Sequence, residues 1–161
     1  MISIKNKETI CPIEFDESLR KKYIDFEVPG RPRGKERPRT VRLGNHITTY
    51  TPKNTVEYEK SIRKSYKNSA GNFKLENAIN AEILAIFPVP KSTSKKLKEQ
   101  MLNGNIIYTK KPDCDNIAKV ILDALNNTAY NDDSQVCKLT VEKIYGEEPK
   151  VKISLQERNL N

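Results

Sequence analysis

The sequence Lys111-Pro-Asp-Cys-Asp-Asn116 is followed directly by apolar residues with helical spacing. These residues are Ile117, Val120, Ile121, Ala124 and Leu125. Positions i, i+3, i+4, i+7 and i+8 form the stripe of a helix that packs on a core. We therefore expect a nearly buried helix over residues 115–126, with one narrow polar stripe formed by Asp115, Asn116, Lys119 and Asp123.

Four carboxylates lie in or just after this segment of a chain whose net charge is +8: Asp113, Asp115, Asp132 and Asp133. Asp113 or Asp115 suits the N-cap of the helix, but one cap needs only one aspartate. Like charges gathered in a partly buried site raise each other's pKa unless a cation lies among them. Carboxylate oxygens suit Mg²⁺ or Mn²⁺, whereas zinc selects His and Cys. The single histidine and the cysteine spacing therefore favour Mg²⁺ or Mn²⁺ over zinc.

Lys119 follows Asp115 by one helical turn, and two interpretations of this lysine are equally open. It can form an i,i+4 ion pair with Asp115, which contributes a few tenths of a kcal/mol. It can instead stabilise negative charge that develops on a phosphate, as lysine and arginine clamps do in phosphoryl transfer. The spacing alone favours neither interpretation.

The chain has 29 lysines and arginines against 21 aspartates and glutamates, which makes a polyanion the leading candidate for a partner. Six of the cations lie in a segment broken by Pro32, Gly34 and Pro38, which we interpret as a basic loop without helix or strand pattern. They are Arg31, Arg33, Lys35, Arg37, Arg39 and Arg42, and Lys110 and Lys111 add two cations beside the aspartates. We expect these eight side chains to bind the phosphates of such a partner.

With 161 residues, the chain is long enough for one domain with a real core. Residues 1–20 are weakly patterned, so we expect an N-terminal arm there and a folded domain over 21–161. No run reaches the roughly 18 apolar residues of a membrane span, and the N-terminus lacks a signal-peptide pattern. We expect a cytoplasmic protein with reduced thiols and no membrane contact, in which Cys114 is a small packing residue.

The remaining patterns predict an α+β domain with a mixed or antiparallel sheet covered by helices. Alternation predicts a strand through Ile24, Phe26 and Val28, and a longer strand over 77–87 that is apolar on both faces at its end and therefore central in the sheet. Further expected elements are a short return strand over 47–50, a helix from an N-cap at Thr51 to about Ser69, a short helix closed by Gly104, and a C-terminal hairpin of 136–144 with 151–155.

The aspartate segment resembles the RusA family of Holliday-junction resolvases. The resemblance rests on Lys111-Pro-Asp-Cys-Asp-Asn-Ile-Ala-Lys119, Asp123-Ala-Leu125 and Asn131-Asp-Asp-Ser-Gln-Val136, and also on Val28 to Arg39 and Tyr50-Thr-Pro52. It implies that Asp113, Asp115 and Asp133 are catalytic metal ligands and that Lys119 is the catalytic lysine. The interval to the Asp-Asp pair is one residue shorter than in the best-known member. Asp133 matches the ligand position, and Asp132 is expected to support the site without holding the metal directly.

The resemblance further implies a Mg²⁺-dependent homodimer of phage or prophage origin that nicks four-way DNA junctions symmetrically in recombination and repair. One alternative is an enzyme of the same family that acts on flaps or other branched DNA. A second alternative is a non-catalytic, basic junction-binding module whose aspartates serve as caps and ion pairs.

Overall fold

The computed structural model describes residues 13–16 and 21–158. A five-stranded sheet has the order β1-β2-β7-β5-β6, and β3 and β4 form a separate two-stranded sheet. The strands are β1 (Ile13–Asp16), β2 (Lys21–Pro29), β3 (Arg39–Leu43), β4 (His46–Tyr50), β5 (Ile79–Pro88), β6 (Val136–Gly146) and β7 (Lys150–Glu157); the helices are α1 (Lys53–Ala70), α2 (Lys95–Leu102) and α3 (Cys114–Leu125). The predicted α+β class is confirmed.

Helices α1 and α3 form the layer that covers the large sheet. Helix α1 contacts α3 and β2, and α3 also contacts β6. The apolar stripe predicted for α3 is buried, from Ile117 to Leu125. Tyr58, Ile62 and Tyr66 of α1 are buried as well, and the Tyr66 ring meets the Phe26 ring edge-on at 5.5 Å between centroids. The two helices therefore fix one compact core against the sheet.

Strand β5 is an interior strand of the sheet with a neighbour on each side, as its apolar residues on both faces predict. It pairs in parallel with β6 and antiparallel with β7, so the sheet is mixed. The predicted hairpin of β6 with β7 is wrong, because β5 lies between these two strands. Residues 147–149 connect them across the end of β5 near Pro88. Local alternation cannot reveal this insertion, since β5 precedes β6 by almost fifty residues.

The predicted basic loop is only partly a loop. Its end, Arg39–Leu43, forms β3 and pairs with the predicted return strand to give a hairpin with Gly44 and Asn45 in its turn. All ten strand residues are exposed. This is why no alternation marks the strand, although a Gly-Asn pair between two extended segments is a hairpin signal.

Two helix ends agree closely with the sequence. Helix α2 has Ser94 as its N-cap, and Gly104, just beyond it, has a φ of +78°. Helix α1 has Pro52 rather than Thr51 as its N-cap, one residue later than predicted.

Of the predicted arm over 1–20, only residues 13–16 are described, and they pair with β2; the rest of that prediction lies outside the described residues. No helix in the described segments is long and apolar enough to cross a membrane.

Candidate active site

Two of the predicted metal ligands stand at the start of α3. Asp113 is the N-cap residue, but its side chain makes no capping hydrogen bond, and Asp115 lies in the first turn. Both side chains are exposed. An aspartate was expected at the N-cap, and the position is confirmed. Both carboxylates lie at the positive end of the helix dipole.

The third predicted ligand, Asp133, begins a 3₁₀ turn whose own cap is Asp132. Oδ1 of Asp132 accepts a hydrogen bond from the Ser134 backbone N–H at 2.9 Å, and the Ser134 side chain, together with this backbone bond, holds the pKa of Asp132 below its usual range. Gln135 closes the capping box through its Oε1, while its Nε2 donates to the carbonyls of Leu75, Glu76 and Asn77. The Asp132 carboxylate is therefore engaged locally, whereas Asp133 takes no part in the cap.

The 3₁₀ turn packs beside α3. Tyr130 links the two elements, because its hydroxyl donates to the Leu122 carbonyl at 2.9 Å. Burial raises the pKa of Tyr130, and the nearby carboxylates of Asp133, Asp123 and Asp132 raise it further. Across the described part of the chain, however, no three His, Cys, Asp or Glu side chains come together closely enough to hold a metal ion. The convergence of Asp113, Asp115 and Asp133 on one metal stays a prediction.

The donor chemistry of these three residues nevertheless fits a hard divalent cation. Among the described residues, none of the three carboxylates has an ion-pair partner, although the chain carries an excess of cations. Asp132, by contrast, caps the 3₁₀ turn, and Asp123 pairs with Lys35. Free carboxylates supply the oxygen ligands that Mg²⁺ and Mn²⁺ prefer.

The basic segment lies directly across the start of α3. The Lys35 backbone N–H donates to the Asn116 carbonyl at 2.8 Å. A Cβ placed on Gly34 would lie 2.8 Å from Cβ of Pro112 and 3.0 Å from Cβ of Asn116, so only glycine permits this approach. An open groove of ≈ 540 Å³ results, lined among others by Arg31, Arg33, Lys35, Lys111 and Asp113. The fold thus brings four predicted DNA-binding cations beside a predicted ligand.

Lys35 differs from the other cations because its ammonium is engaged inside the protein. It forms ion pairs with Glu59 of α1 and, at 2.9 Å, with Asp123 of α3. Burial alone would lower the pKa of Lys35, but these two carboxylates outweigh burial and raise it. Lys35 therefore ties the basic segment to both helices. Glu59 was missed as a partner from the sequence, since no local spacing links it to Lys35.

Two more side chains that the sequence did not reveal hold the segment before α3. Lys143 of β6 donates to the carbonyls of Lys110 and Pro112 at 2.9 and 3.0 Å. The Tyr108 hydroxyl donates to the Lys111 carbonyl at 3.0 Å, and its ring stacks on Phe87 at 3.8 Å. Lys143 stands between Val141 and Tyr145 on the inward face of its strand. A lysine at an inward position of a strand is the signal that could have singled it out.

A profile of the family described as Endodeoxyribonuclease RusA matches residues 29–156. The chain belongs to the RusA endodeoxyribonuclease family. An uncharacterized protein of Bacillus subtilis (strain 168), YqaN, is 33% identical over 136 residues, which is 83% of this chain and 96% of that relative. The match to the RusA family covers both the basic segment and the aspartate segment. It supports a nuclease that hydrolyses DNA.

Lys119, the predicted catalytic lysine, is exposed on α3, and among the described ion pairs it forms none with Asp115. The first of the two interpretations left open for this lysine, an ion pair with Asp115, is therefore wrong, and its ammonium is available to a ligand.

Arg37, Arg39 and Arg42 lie on or just before the β3–β4 hairpin, where Arg39 approaches Glu36 at 3.8 Å. Cys114 is exposed, so its predicted packing role is also wrong. It is the first residue of α3 and lies on the same side of the helix as Ile117 and Ile121, so its exposure reflects its place at the helix end rather than its face.

Proposed function

We propose that this RusA-family protein is a Mg²⁺-dependent endonuclease that resolves four-way DNA junctions by paired, symmetric nicks. The observation that carries the proposal is the set of unpaired carboxylates at the start of α3, beside a groove lined with cations. Anionic side chains left free next to a polyanion-binding surface are costly for DNA binding unless a cation joins them. A purely structural role for the aspartates does not explain that placement.

Asp113, Asp115 and Asp133 would hold the metal, with Mn²⁺ as a substitute for Mg²⁺. A bound divalent ion polarises the scissile phosphate and lowers the pKa of the attacking water. The chain's own contribution is to present the three carboxylates from two fixed elements, the N-terminus of α3 and the 3₁₀ turn. Asp132 supports this arrangement by capping the turn, so it positions Asp133 without holding the metal.

Lys119 would hold the scissile phosphate and offset the negative charge that grows as the bond breaks. It lies one helical turn beyond Asp115 on the exposed side of α3, so the two side chains project from the same side of the helix. Arg31, Arg33 and Lys111 line the groove at the same helix end and would bind backbone phosphates on either side of the cut. Phosphate contacts of this kind give affinity and register but carry little sequence information.

A homodimer suits the proposed substrate, because a four-way junction has two equivalent strands to cut and each subunit supplies one site. We propose that the dimer acts on branched DNA in the cytoplasm, in recombination and repair, and that the gene is of phage or prophage origin. The proposal makes cleavage dependent on DNA shape rather than on a long recognition sequence.

The test is cleavage of a labelled, mobile four-way junction, with a flap and a linear duplex of the same sequence as comparison substrates. The wild-type protein should give paired nicks in Mg²⁺ and none in EDTA. Asp115→Asn should reduce cleavage at least about 100-fold, since a metal ligand contributes several kcal/mol to the transition state. Its junction affinity should be retained or increased, because a negative charge near the phosphates is removed.

Asp25→Asn provides a matched control, since Asp25 is exposed on β2 between buried Ile24 and Phe26 and therefore faces away from the helices. This variant should cleave like the wild type. Full activity of Asp115→Asn would contradict the metal site. Preferential cutting of the flap would assign the alternative substrate, and binding without cleavage in either metal would leave only a junction-binding module.

A further inference from the structure

The hairpin of β3 and β4, residues 39–50, carries exposed apolar side chains that the catalytic proposal does not use. Leu43 is 66% exposed, Ile47 72%, Tyr50 46% and Val41 39%. Within the described chain, β3 and β4 pair only with each other. A lone two-stranded hairpin is at best marginally stable in water, and a cluster of exposed apolar side chains marks an interaction site. This hairpin is therefore built to be covered by a partner.

The register gives the tip of the hairpin the shape of a thin wedge. Leu43 lies opposite His46, and Arg42 lies opposite Ile47. Because neighbouring residues of a strand face opposite sides, Leu43 and Ile47 project from the two faces of the hairpin. Gly44, with a φ of +62°, allows a tight two-residue turn. The end of the hairpin is therefore narrow and carries one apolar side chain on each side, with His46 beside Leu43 and Arg42 beside Ile47.

The charge around this wedge identifies the chemistry of its partner. Residues 37–50 contain Arg37, Arg39 and Arg42 but no aspartate or glutamate. The base of the hairpin is fixed beside the catalytic groove, because Lys35 is tied to Asp123 on one side and α1 begins just after Tyr50 on the other. Arginines around an apolar tip fit a nucleic acid, whose phosphates bind the cations while its bases meet the apolar groups.

We infer that the hairpin inserts Leu43 and Ile47 between bases at the branch point of the DNA. The inference rests on the proposed function, which supplies branched DNA as the substrate. Proteins that deform DNA place apolar side chains between base steps and unstack them, and the cost is lowest where pairing is already interrupted. A branch point offers such an interruption and a continuous duplex does not. The wedge thereby distinguishes the two DNA shapes.

The experiment uses the full chain in EDTA, with a four-way junction that carries 2-aminopurine at the branch point and a duplex with the same label. Wild-type binding should raise the fluorescence of the junction, which reports base unstacking. Leu43→Ser combined with Ile47→Ser should abolish this rise and weaken junction binding about tenfold, with duplex affinity within about twofold of wild type. Leu139→Ser, an exposed leucine on β6, should leave all three values unchanged.

A second variant separates the wedge from the charges around it. Arg39→Gln combined with Arg42→Gln should weaken junction and duplex binding together and reduce the slope of log K against log salt by about 0.9 for each phosphate that the protein no longer neutralises. Equal loss of junction and duplex affinity in the serine variant would overturn the inference. A wild-type fluorescence that stays constant on binding would overturn it too, as would a serine variant that becomes monomeric, since the hairpin would then be a contact between copies.

The measurements on the wild-type protein show whether the proposed function or only this inference is wrong. If the wild-type protein cuts and binds duplex as well as junctions, the proposed substrate is wrong. If the wild type prefers junctions and the serine variant retains both the preference and the fluorescence rise, only the wedge is wrong.

Discussion

The start of α3 and the β3–β4 hairpin are the two parts of this molecule that meet DNA in our proposals, and they are built in opposite ways. The segment before α3 has three consecutive carbonyls bound by Lys143 and Tyr108, and the basic segment is bonded to Asn116 beside it. The hairpin instead has ten exposed residues and no strand partner elsewhere in the described chain. Chemistry needs carboxylates fixed to within a fraction of an ångström, whereas shape recognition tolerates a surface that becomes ordered on binding.

The largest loss of cleavage should come from replacing Asp133, and the adjacent Asp132 provides the comparison. Asp133→Asn should lower the cleavage rate at least about 100-fold, because it removes a proposed metal ligand. Asp132→Asn should cleave within about threefold of the wild type, since asparagine can accept the same backbone hydrogen bond in the capping box. The measurement is single-turnover cleavage of a four-way junction in Mg²⁺. The reverse order of the two variants would move the ligand assignment from Asp133 to Asp132.

A smaller loss should follow from loosening the segment that precedes the ligands. Lys143→Met keeps the apolar stem but removes the donor to the Lys110 and Pro112 carbonyls, so Asp113 should lose part of its fixed position. We expect kcat to fall about tenfold while the KM for junction DNA changes less than about twofold, because a small misplacement mainly affects the reacting groups.

Two controls separate positioning by Lys143 from a general effect on folding or charge. Lys143→Arg should restore part of kcat, since arginine can donate to the same carbonyls. Lys138→Met, on the same strand but exposed, should behave like the wild type. A fall in the thermal midpoint that accounts for the lost activity would make Lys143 a structural residue only.

The contrast between rigid and exposed regions also explains what could be predicted from the sequence. Buried elements such as α3 and β5 leave periodic apolar patterns, and their positions follow from Ile117 to Leu125 and from the two apolar faces near Leu84 and Ile86. Strand β3 has no buried face, so no such pattern exists for it. The insertion of β5 between β6 and β7 depends on contacts between distant segments, and local alternation cannot encode them.

In the candidate site, too, some residues could be predicted from local sequence and others could not. The cluster of Asp113, Asp115, Asp132 and Asp133 was predicted from its charge and spacing, whereas the choice of Asp133 over Asp132 came from the family resemblance; the family match covers all four positions. The residues that hold the site together were not found, because Lys143 contacts a segment about thirty residues earlier and Lys35 pairs with Glu59 and Asp123 on two different helices. Such partners become neighbours only through tertiary packing.

The smallest expected effect is a change in stability, and it tests whether the large sheet and the hairpin unfold independently of each other. Glu157 ends β7, is almost fully buried, and accepts from the backbone N–H groups of Glu76 and Asn77 while Lys22 lies 3.1 Å from its second oxygen. Burial would raise the pKa of Glu157, but these hydrogen bonds and Lys22 outweigh burial and lower it. Stability from Glu157 is therefore fully present above its ordinary pKa and is lost as the pH falls through the lower folded-state value.

Glu157→Gln should reduce the free energy of unfolding by about 1–3 kcal/mol at pH 7, because charge-assisted hydrogen bonds to a buried carboxylate are lost. In urea titrations, the difference between the variant and the wild type should shrink as the pH is lowered well below the ordinary glutamate range. Glu82→Gln, an exposed change on β5, should show little difference at either pH. Hydrogen exchange should quicken in the large sheet of the Glu157 variant and stay unchanged in β3 and β4, whose amides depend only on each other. Faster hydrogen exchange in the hairpin as well would mean that the two regions unfold as one cooperative unit. The hairpin would then not be a DNA-contacting surface that is separate from the catalytic part of the molecule.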